Sequence, residues 1–327
     1  MSKPRVFVTR VIPEKGLDLI REVCEVDLWQ NGMPPAREDL LKRVQGIDGL
    51  LCLLTDKVDG EVMDSAGEGL KVISNLAVGF DNINVPAATA RGIPVGNTPD
   101  VLTDATADFA FTLLMAAARR LLEADRYIRL GKWKTWDPLA LLGVDMKDAT
   151  LGLVGFGRIG KAMARRARGF DMRVIYYDPT DKEPDPDIEA TRVDFETLLE
   201  EADFISLHTP LTPDTRRLID SEALSRMKPT AVLINTSRGP VVDLEALYEA
   251  MKEKRIFAAA LDVTDPEPLP PEHPLYTLDN VIIAPHIASA SRGTRDKMAW
   301  MAAQNLIAGL KSERLPNCVN PQVYSQR

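Results

Sequence analysis

The sequence predicts an α/β protein made of two doubly wound parallel-sheet domains. Three observations carry this expectation. The chain has 327 residues, which at roughly 150 residues per domain gives two domains. Short runs that are apolar on both faces alternate with amphipathic stretches, the pattern of buried parallel strands connected by helices. Finally, Gly155-Phe156-Gly157-Arg158-Ile159-Gly160 falls between one such run and one such stretch.

In the first hundred residues the expected strands are Val6–Val8, Gly49–Leu54 and Val72–Ser74. A long Ala- and Leu-rich helix from Thr103 to Leu130 follows, and one helix joining two lobes is the simplest account of it. Further strands are expected at Leu151–Val154, Arg173–Tyr177, Phe204–Leu207, Ala231–Ile234, Ala258–Leu261 and Val281–Ile283. Between them lie helical stretches at Ile159–Gly169 and Leu244–Lys254, the second with Asp243 as its N-cap. The segment from Thr180 to Glu189, with Lys182, Pro184 and Pro186, reads as a solvated loop. Thr294–Leu310 is helical in period with no strand after it, so it is expected to return and complete the first lobe.

Composition narrows the function. Apolar residues make up 45% and charged residues 27%, an ordinary globular balance. A net charge of −8 argues against nucleic acid or an anionic membrane as partner. The longest nearly apolar stretch, Phe109 to Ala118, is half the roughly 20 residues a spanning helix needs. The N-terminus has no apolar signal core, so a soluble, cytoplasmic protein is expected. Cys24, Cys52 and Cys318 are widely spaced, leaving no basis for a disulfide framework or a structural metal site.

The glycine motif gains force from its context, after a strand and opening a helix, with Asp178 18 residues beyond Gly160. Gly155 allows a tight turn, Gly157 lets backbone approach a pyrophosphate, and Gly160 packs helix on strand, so the helix N-terminus faces the anion. Asp178 would accept from the adenosine ribose hydroxyls and repel a 2′-phosphate; its plainer reading is a turn residue before Pro179. Other reactive side chains fall at strand ends, where such a fold binds ligands. Arg238 follows Ala231–Ile234 and could clamp a carboxylate. Asp262 ends Ala258–Leu261, Glu267 lies in the loop beyond, and His286 follows Val281–Ile283. A carboxylate beside an imidazole stabilises the imidazolium and fixes its tautomer, which suits a general acid or base. Singly, these could be a surface ion pair, a solvated acid and a loop histidine; their grouping favours a site. His208 and His273 read as structural and loop residues.

The ordered motifs Ala77-Val78-Gly79-Phe80-Asp81, Thr98-Pro99-Asp100, the glycine loop, Ser237-Arg238-Gly239, Leu261-Asp262-Val263-Thr264, Pro266-Glu267-Pro268 and Pro285-His286-Ile287 resemble the NAD(P)-dependent D-2-hydroxyacid dehydrogenase family over nearly the whole chain. Within that family they are most similar to the glyoxylate/hydroxypyruvate reductases. The resemblance implies a Rossmann cofactor domain over 100–289 and a smaller, flavodoxin-like substrate domain from 1–99 and 290–327, with the active site in the cleft. It implies a reductase of small 2-oxo acids, converting glyoxylate to glycolate and hydroxypyruvate to D-glycerate, in which Arg238 binds the substrate carboxylate, His286 donates the proton and Glu267 pairs with His286. Val78 and Gly79 would hold the carboxylate through their amides, with Leu54 and Trp136 also in the substrate set. Gly157, Arg158 and Ile159 would face the pyrophosphate; Pro210, Thr215, Thr236, Asp262 and Ser289 complete the cofactor set. No metal is implied. The long helix would belong to a homodimer arm, with Trp136 reaching the partner's pocket, although Trp136 could equally be an ordinary interface aromatic. NADPH-preferring members carry a small residue followed by Arg or Ser where this chain has Asp178-Pro179-Thr180, so NAD(H) is the favoured cofactor and NADP(H) the alternative. The rival readings are a broader D-2-hydroxyacid dehydrogenase acting on larger 2-oxo acids and a dinucleotide-sensing co-repressor.

Overall fold

Runs without a polar face can be buried only where helices cover both sides of a sheet. The structure, a computed structural model that describes residues 3–180 and 187–325, uses them in this way. Lys182, Pro184 and Pro186 of the expected loop lie outside the described residues. The chain divides into two compact units: one runs to Leu102 and resumes at Ala290, and the other is Thr103–Ser289.

In the first unit β1 (Arg5–Val8), α1 (Glu14–Val23), β2 (Glu25–Leu28), α2 (Arg37–Arg43), β3 (Gly49–Cys52), α3 (Gly60–Ala66), β4 (Val72–Asn75), α4 (Val85–Ala90) and β5 (Val95–Gly96) alternate. The strands are parallel in the order β2-β1-β3-β4-β5, so the winding reverses between β1 and β3. This is the flavodoxin-like order.

The second unit contains α5 (Thr103–Ala118), α6 (Leu121–Arg129), β6 (Thr150–Val154), α7 (Arg158–Ala167), β7 (Arg173–Tyr177), β8 (Thr191–Arg192), α8 (Phe195–Glu201), β9 (Phe204–Leu207), α9 (Ser221–Arg226), β10 (Val232–Asn235), α10 (Leu244–Lys252), β11 (Ala258–Leu261) and β12 (Val281–Ile283). Its parallel sheet has the order β12-β11-β10-β9-β6-β7-β8 and reverses between β6 and β9, as in a dinucleotide-binding domain. Alternation along each strand feeds two cores. Leu151, Leu153 and Ile234 pack with Phe111 and Leu114 of α5, while Val154, Ile205 and Leu233 pack with Leu198 of α8 and Leu247 of α10. The chain then returns to the first unit through α11 (Arg292–Leu310), whose Ala299, Ala302 and Leu306 bury against Leu17, Leu51 and Val72.

Several expectations change. The single helix from Thr103 to Leu130 is two helices, and both belong to the second unit, so it does not serve as a joint between lobes. The break has a local cause. The Ala118 carbonyl accepts from the Val144 amide at 3.0 Å, and Arg120 turns to φ 51° while its guanidinium holds Glu123 through two bonds of 2.8 Å. The strand expected to reach Leu54 ends at Cys52, because the Asp56 carboxylate takes the Leu53 amide at 2.7 Å. The helix at Ile159–Gly169 instead starts at Arg158 and tightens into a 3₁₀ turn at Arg168–Phe170. Three strands are additional: β2, β5 and β8 are short, and β2 and β8 are sheet edges with little apolar signal.

Candidate active site

The glycine loop is built as an anion cradle. Gly155 has φ 95°, and a Cβ there would stand 2.7 Å from the His208 carbonyl oxygen. A Cβ on Gly160 would meet the Gly155 oxygen at 2.3 Å, whereas nothing lies within 4 Å of one on Gly157. Open space therefore sits at the N-cap of α7, where the amides of the first turn lack helical partners. Arg158 is exposed and Ile159 half-buried in that turn. Asp178, at the end of β7, lies beside this loop: its carboxylate accepts from the Phe156 amide at 2.9 Å and the Thr180 amide at 2.9 Å. It borders an open cavity of ≈ 760 Å³ shared with Tyr177, Thr197 and Arg192, whose guanidinium donates to the Asp178 carbonyl at 2.9 Å. Sequence reasoning passed over Arg192, which lies on a two-residue edge strand without a motif of its own.

At the ends of β9 and β10, Thr209 Oγ1 and Thr236 Oγ1 are buried without a hydrogen-bond partner among the described residues. Unmatched buried hydroxyls call for a ligand or water. With the open space at Gly157, they make this unit fit a dinucleotide with polar groups for Thr209 and Thr236 to bond. Nearby, Thr215 Oγ1 donates to the Pro210 carbonyl at 2.7 Å, so these two belong to one turn. Ser289 is half-buried at the end of the second unit.

The loops after β11 and β12 bring Glu267 and His286 together. His286 Nδ1 lies 2.5 Å from Glu267 Oε1, and Nε2 makes no hydrogen bond with the described residues. His286 adopts φ 55°, unusual for a residue with a side chain. Asp262 holds it there. The Asp262 carbonyl accepts the His286 amide at 2.9 Å, and its carboxylate accepts the Ile287 and Ala288 amides, each at 2.8 Å. Burial pushes the Asp262 carboxyl upward, while these two amides act in the opposite direction. Arg238 is half-buried after β10, with its guanidinium donating to the Ser237 carbonyl at 2.8 Å and its own carbonyl held by Asn235 at 2.9 Å. A Cβ on Gly239 would collide with the Thr264 oxygen at 1.9 Å, so glycine lets the Arg238 loop close on the segment leading to Glu267.

The first unit places Leu54 and Val78–Gly79 on loops after β3 and β4, half-buried in each case. Trp136 is 78% exposed in a region without regular structure. His273 Nδ1 accepts the Leu275 amide at 3.3 Å and caps a 3₁₀ turn. Among the described residues no cluster of ligating side chains could hold a metal, and no helix is long and apolar enough to cross a membrane.

The chain resembles known proteins over nearly its whole length. Residues 111–288 match the family model for the D-isomer specific 2-hydroxyacid dehydrogenase NAD binding domain. The chain is 55% identical to a glyoxylate reductase from Korarchaeum cryptofilum, over 99% of this chain and 98% of that one. A crystal structure from Thermus thermophilus superposes with a TM-score of 0.91 at 52% identity, covering 96% and 99% of the two chains. An NADPH-dependent glyoxylate/hydroxypyruvate reductase from Sinorhizobium meliloti, solved with NADP and malonate, gives 0.85 at 32% identity over 97% of each. The chain belongs to the D-isomer specific 2-hydroxyacid dehydrogenases, oxidoreductases that use a nicotinamide dinucleotide.

His208 supplies a test of the cofactor unit. Among the described residues its ring hydrogen-bonds Ser206 Oγ alone, at 2.9 Å, and burial pushes its pKa from 6.5 down to about 3. The unfolded chain then binds a proton that the folded chain refuses, so stability is complete above pH 6.5 and falls as pH drops toward 3. The limiting slope is about 1.4 kcal/mol per pH unit. Urea midpoints at pH 7, 6 and 5 should fall less steeply in His208→Gln than in the wild type; parallel slopes would show that His208 is not held neutral.

Proposed function

We propose that the chain reduces small 2-oxo acids, with glyoxylate and hydroxypyruvate as the favoured substrates and a reduced nicotinamide dinucleotide as co-substrate. The observation that carries this is the Glu267–His286 pair on a braced loop, one unit with an open glycine cradle. A dihydronicotinamide held by the glycine loop would supply the hydride for the keto carbon. His286 donates the Nε2 proton to the carbonyl oxygen, since Glu267 occupies Nδ1 and fixes the ring. Arg238 binds the substrate carboxylate and polarises the carbonyl, and the Val78 and Gly79 amides hold the same carboxylate. Leu54 lines the acyl side. Pro210, Thr215, Thr236, Asp262 and Ser289 would line the nicotinamide end, and Gly157, Arg158 and Ile159 would face the pyrophosphate in a loop shaped by Gly155 and Gly160. The 55% identical relative is a glyoxylate reductase, which favours the small substrates over larger 2-oxo acids.

We further assign a cytoplasmic homodimer. Leu121, Leu130, Trp136 and Leu139 are 60%, 62%, 78% and 77% exposed, a concentration of large apolar side chains over α6 and the segment after it. Exposed patches of this kind mark association surfaces.

Three outcomes follow. His286→Ala should lose about 10²–10⁴ in kcat with NADH binding nearly unchanged, and Glu267→Gln should show a smaller loss of kcat; wild-type kcat in either variant would remove the proposed pair from the reaction. NADH should give a higher kcat/KM than NADPH, because the Asp178 carboxylate repels a 2′-phosphate; a tenfold preference for NADPH would overturn this and point to Arg192. Sedimentation equilibrium at micromolar concentration should show a dimer, and a monomer would refute the assigned interface.

A further inference from the structure

The amides of Val78 and Gly79 donate to none of the described residues, yet the carbonyls around them are all held. The Ala77 oxygen accepts the Thr98 amide at 2.9 Å, the Val78 oxygen accepts Asn97 Nδ2 at 2.8 Å, and the Gly79 oxygen accepts Asn75 Nδ2 at 2.9 Å. A trans peptide is planar with its N–H opposite its C=O. Fixing the Ala77 and Val78 carbonyls therefore turns the Val78 and Gly79 amides away from residues 97 and 98. Fixing the Gly79 carbonyl pins the far side of the same turn.

Asn75 is the hub. It ends β4, is fully buried, and divides its two amide hydrogens between the Gly79 oxygen and Asn82 Oδ1, at 2.9 and 3.0 Å. Asn82 in turn donates to the Leu53 and Asp56 carbonyls at 3.0 and 3.1 Å. Asp56, also buried, closes the neighbouring loop by accepting Leu53 N at 2.7 Å and Thr9 Oγ1 at 2.6 Å. Burial raises the Asp56 carboxyl, while Thr9 and the Leu53 amide counter it. The network thus joins the ends of β1, β3 and β4, at the place where the winding of the small sheet reverses. A satisfied buried network of this kind gives the backbone one arrangement, and losing a donor leaves buried acceptors unmatched.

We propose that Asn75 is a positioning residue for substrate carboxylate binding: through the Gly79 carbonyl and Asn82 it sets the aim of the Val78 and Gly79 amides and fixes the Leu53–Asp56 loop beside them. This rests on the reading that those amides hold a 2-oxo acid carboxylate. Asn75→Ala deprives Gly79 and Asn82 of their donor without touching the proton donor or the glycine cradle. The effect should fall on an interaction made equally in ground and transition states, raising KM with little change in kcat.

The test compares glyoxylate with glycolaldehyde, which carries the same aldehyde without the carboxylate, at saturating NADH. Wild-type enzyme should favour glyoxylate strongly in kcat/KM; absence of that preference sinks the carboxylate reading itself, independently of Asn75. Asn75→Ala should raise KM for glyoxylate at least tenfold, keep kcat within about threefold, leave NADH affinity by fluorescence titration unchanged, and shrink the glyoxylate-to-glycolaldehyde ratio at least tenfold. An unchanged ratio, whether because nothing moves or because both substrates suffer equally, overturns the proposal, as does a parallel loss of NADH affinity. If Asn75→Ala does not fold, the half-exposed Asn82→Ala decides by the same ratio, with an expected fall of at least threefold.

Discussion

The reactive end of the larger unit depends on a single residue that does no chemistry in the proposed reaction. Asp262 closes β11 and spends both its carbonyl and its carboxylate on three successive amides, those of His286, Ile287 and Ala288. A left-handed φ at a histidine costs about 1–2 kcal/mol. Three hydrogen bonds, two of them charge-assisted, are ample to hold it. Without that turn, His286 would leave β12 in extended backbone and Nδ1 would lose its 2.5 Å approach to Glu267. The desolvated Asp262 carboxylate is stabilised by backbone dipoles, which add rigidity without introducing another cation near the imidazole.

The same construction recurs in the smaller unit on different residues. There a buried carboxylate, Asp56, and two carboxamides, Asn75 and Asn82, bind the loops after β1, β3 and β4. In each unit, taken by itself, the parallel strands end along one edge of their own sheet, and loops leaving that edge have no sheet ladder to satisfy their backbone groups. Short polar side chains at the last strand position or just beyond supply the partners. Asn75 and Asn235 do this from within β4 and β10, and Thr9, Asp56 and Asp262 from the following residues.

This explains what was legible in the sequence. Strands such as Leu151–Val154 and Phe204–Leu207 announce themselves because burial on both faces demands unbroken apolar runs. The glycine loop is readable because the His208 carbonyl at Gly155 and the Gly155 carbonyl at Gly160 exclude side chains at fixed spacing. The Glu267–His286 pair is legible only through adjacency of strand ends and family resemblance, since the two residues are 19 positions apart in the chain. The break after Ala118 was not legible. It is made by Gly143 and Val144, whose backbone reaches the Ala118 carbonyl from a segment with no periodic signal. Nor was the Asn75–Asn82 network, because an asparagine at a strand end looks the same in sequence whether its amide faces water or two loop carbonyls.

The charge distribution gives these local devices their importance. The chain carries a net charge of −8, yet the proposed ligands are a dinucleotide and a 2-oxo acid, both anions. Its long-range field therefore opposes them, and screening confines that opposition to about 8 Å at physiological ionic strength. Inside that distance, binding has to come from groups that concentrate positive potential without adding net charge. The open first turn of α7 offers backbone amides and a helix dipole, and the Val78–Gly79 turn offers two amides that donate to none of the described residues. Among the residues assigned to the substrate, only Arg238 carries a permanent positive charge. Amides can perform this task only when their direction is fixed before the ligand arrives, because reorienting a loop around each substrate would consume the binding free energy. The buried carboxylate and carboxamides that look like liabilities in a hydrophobic core are, on this argument, what makes weak dipoles sufficient.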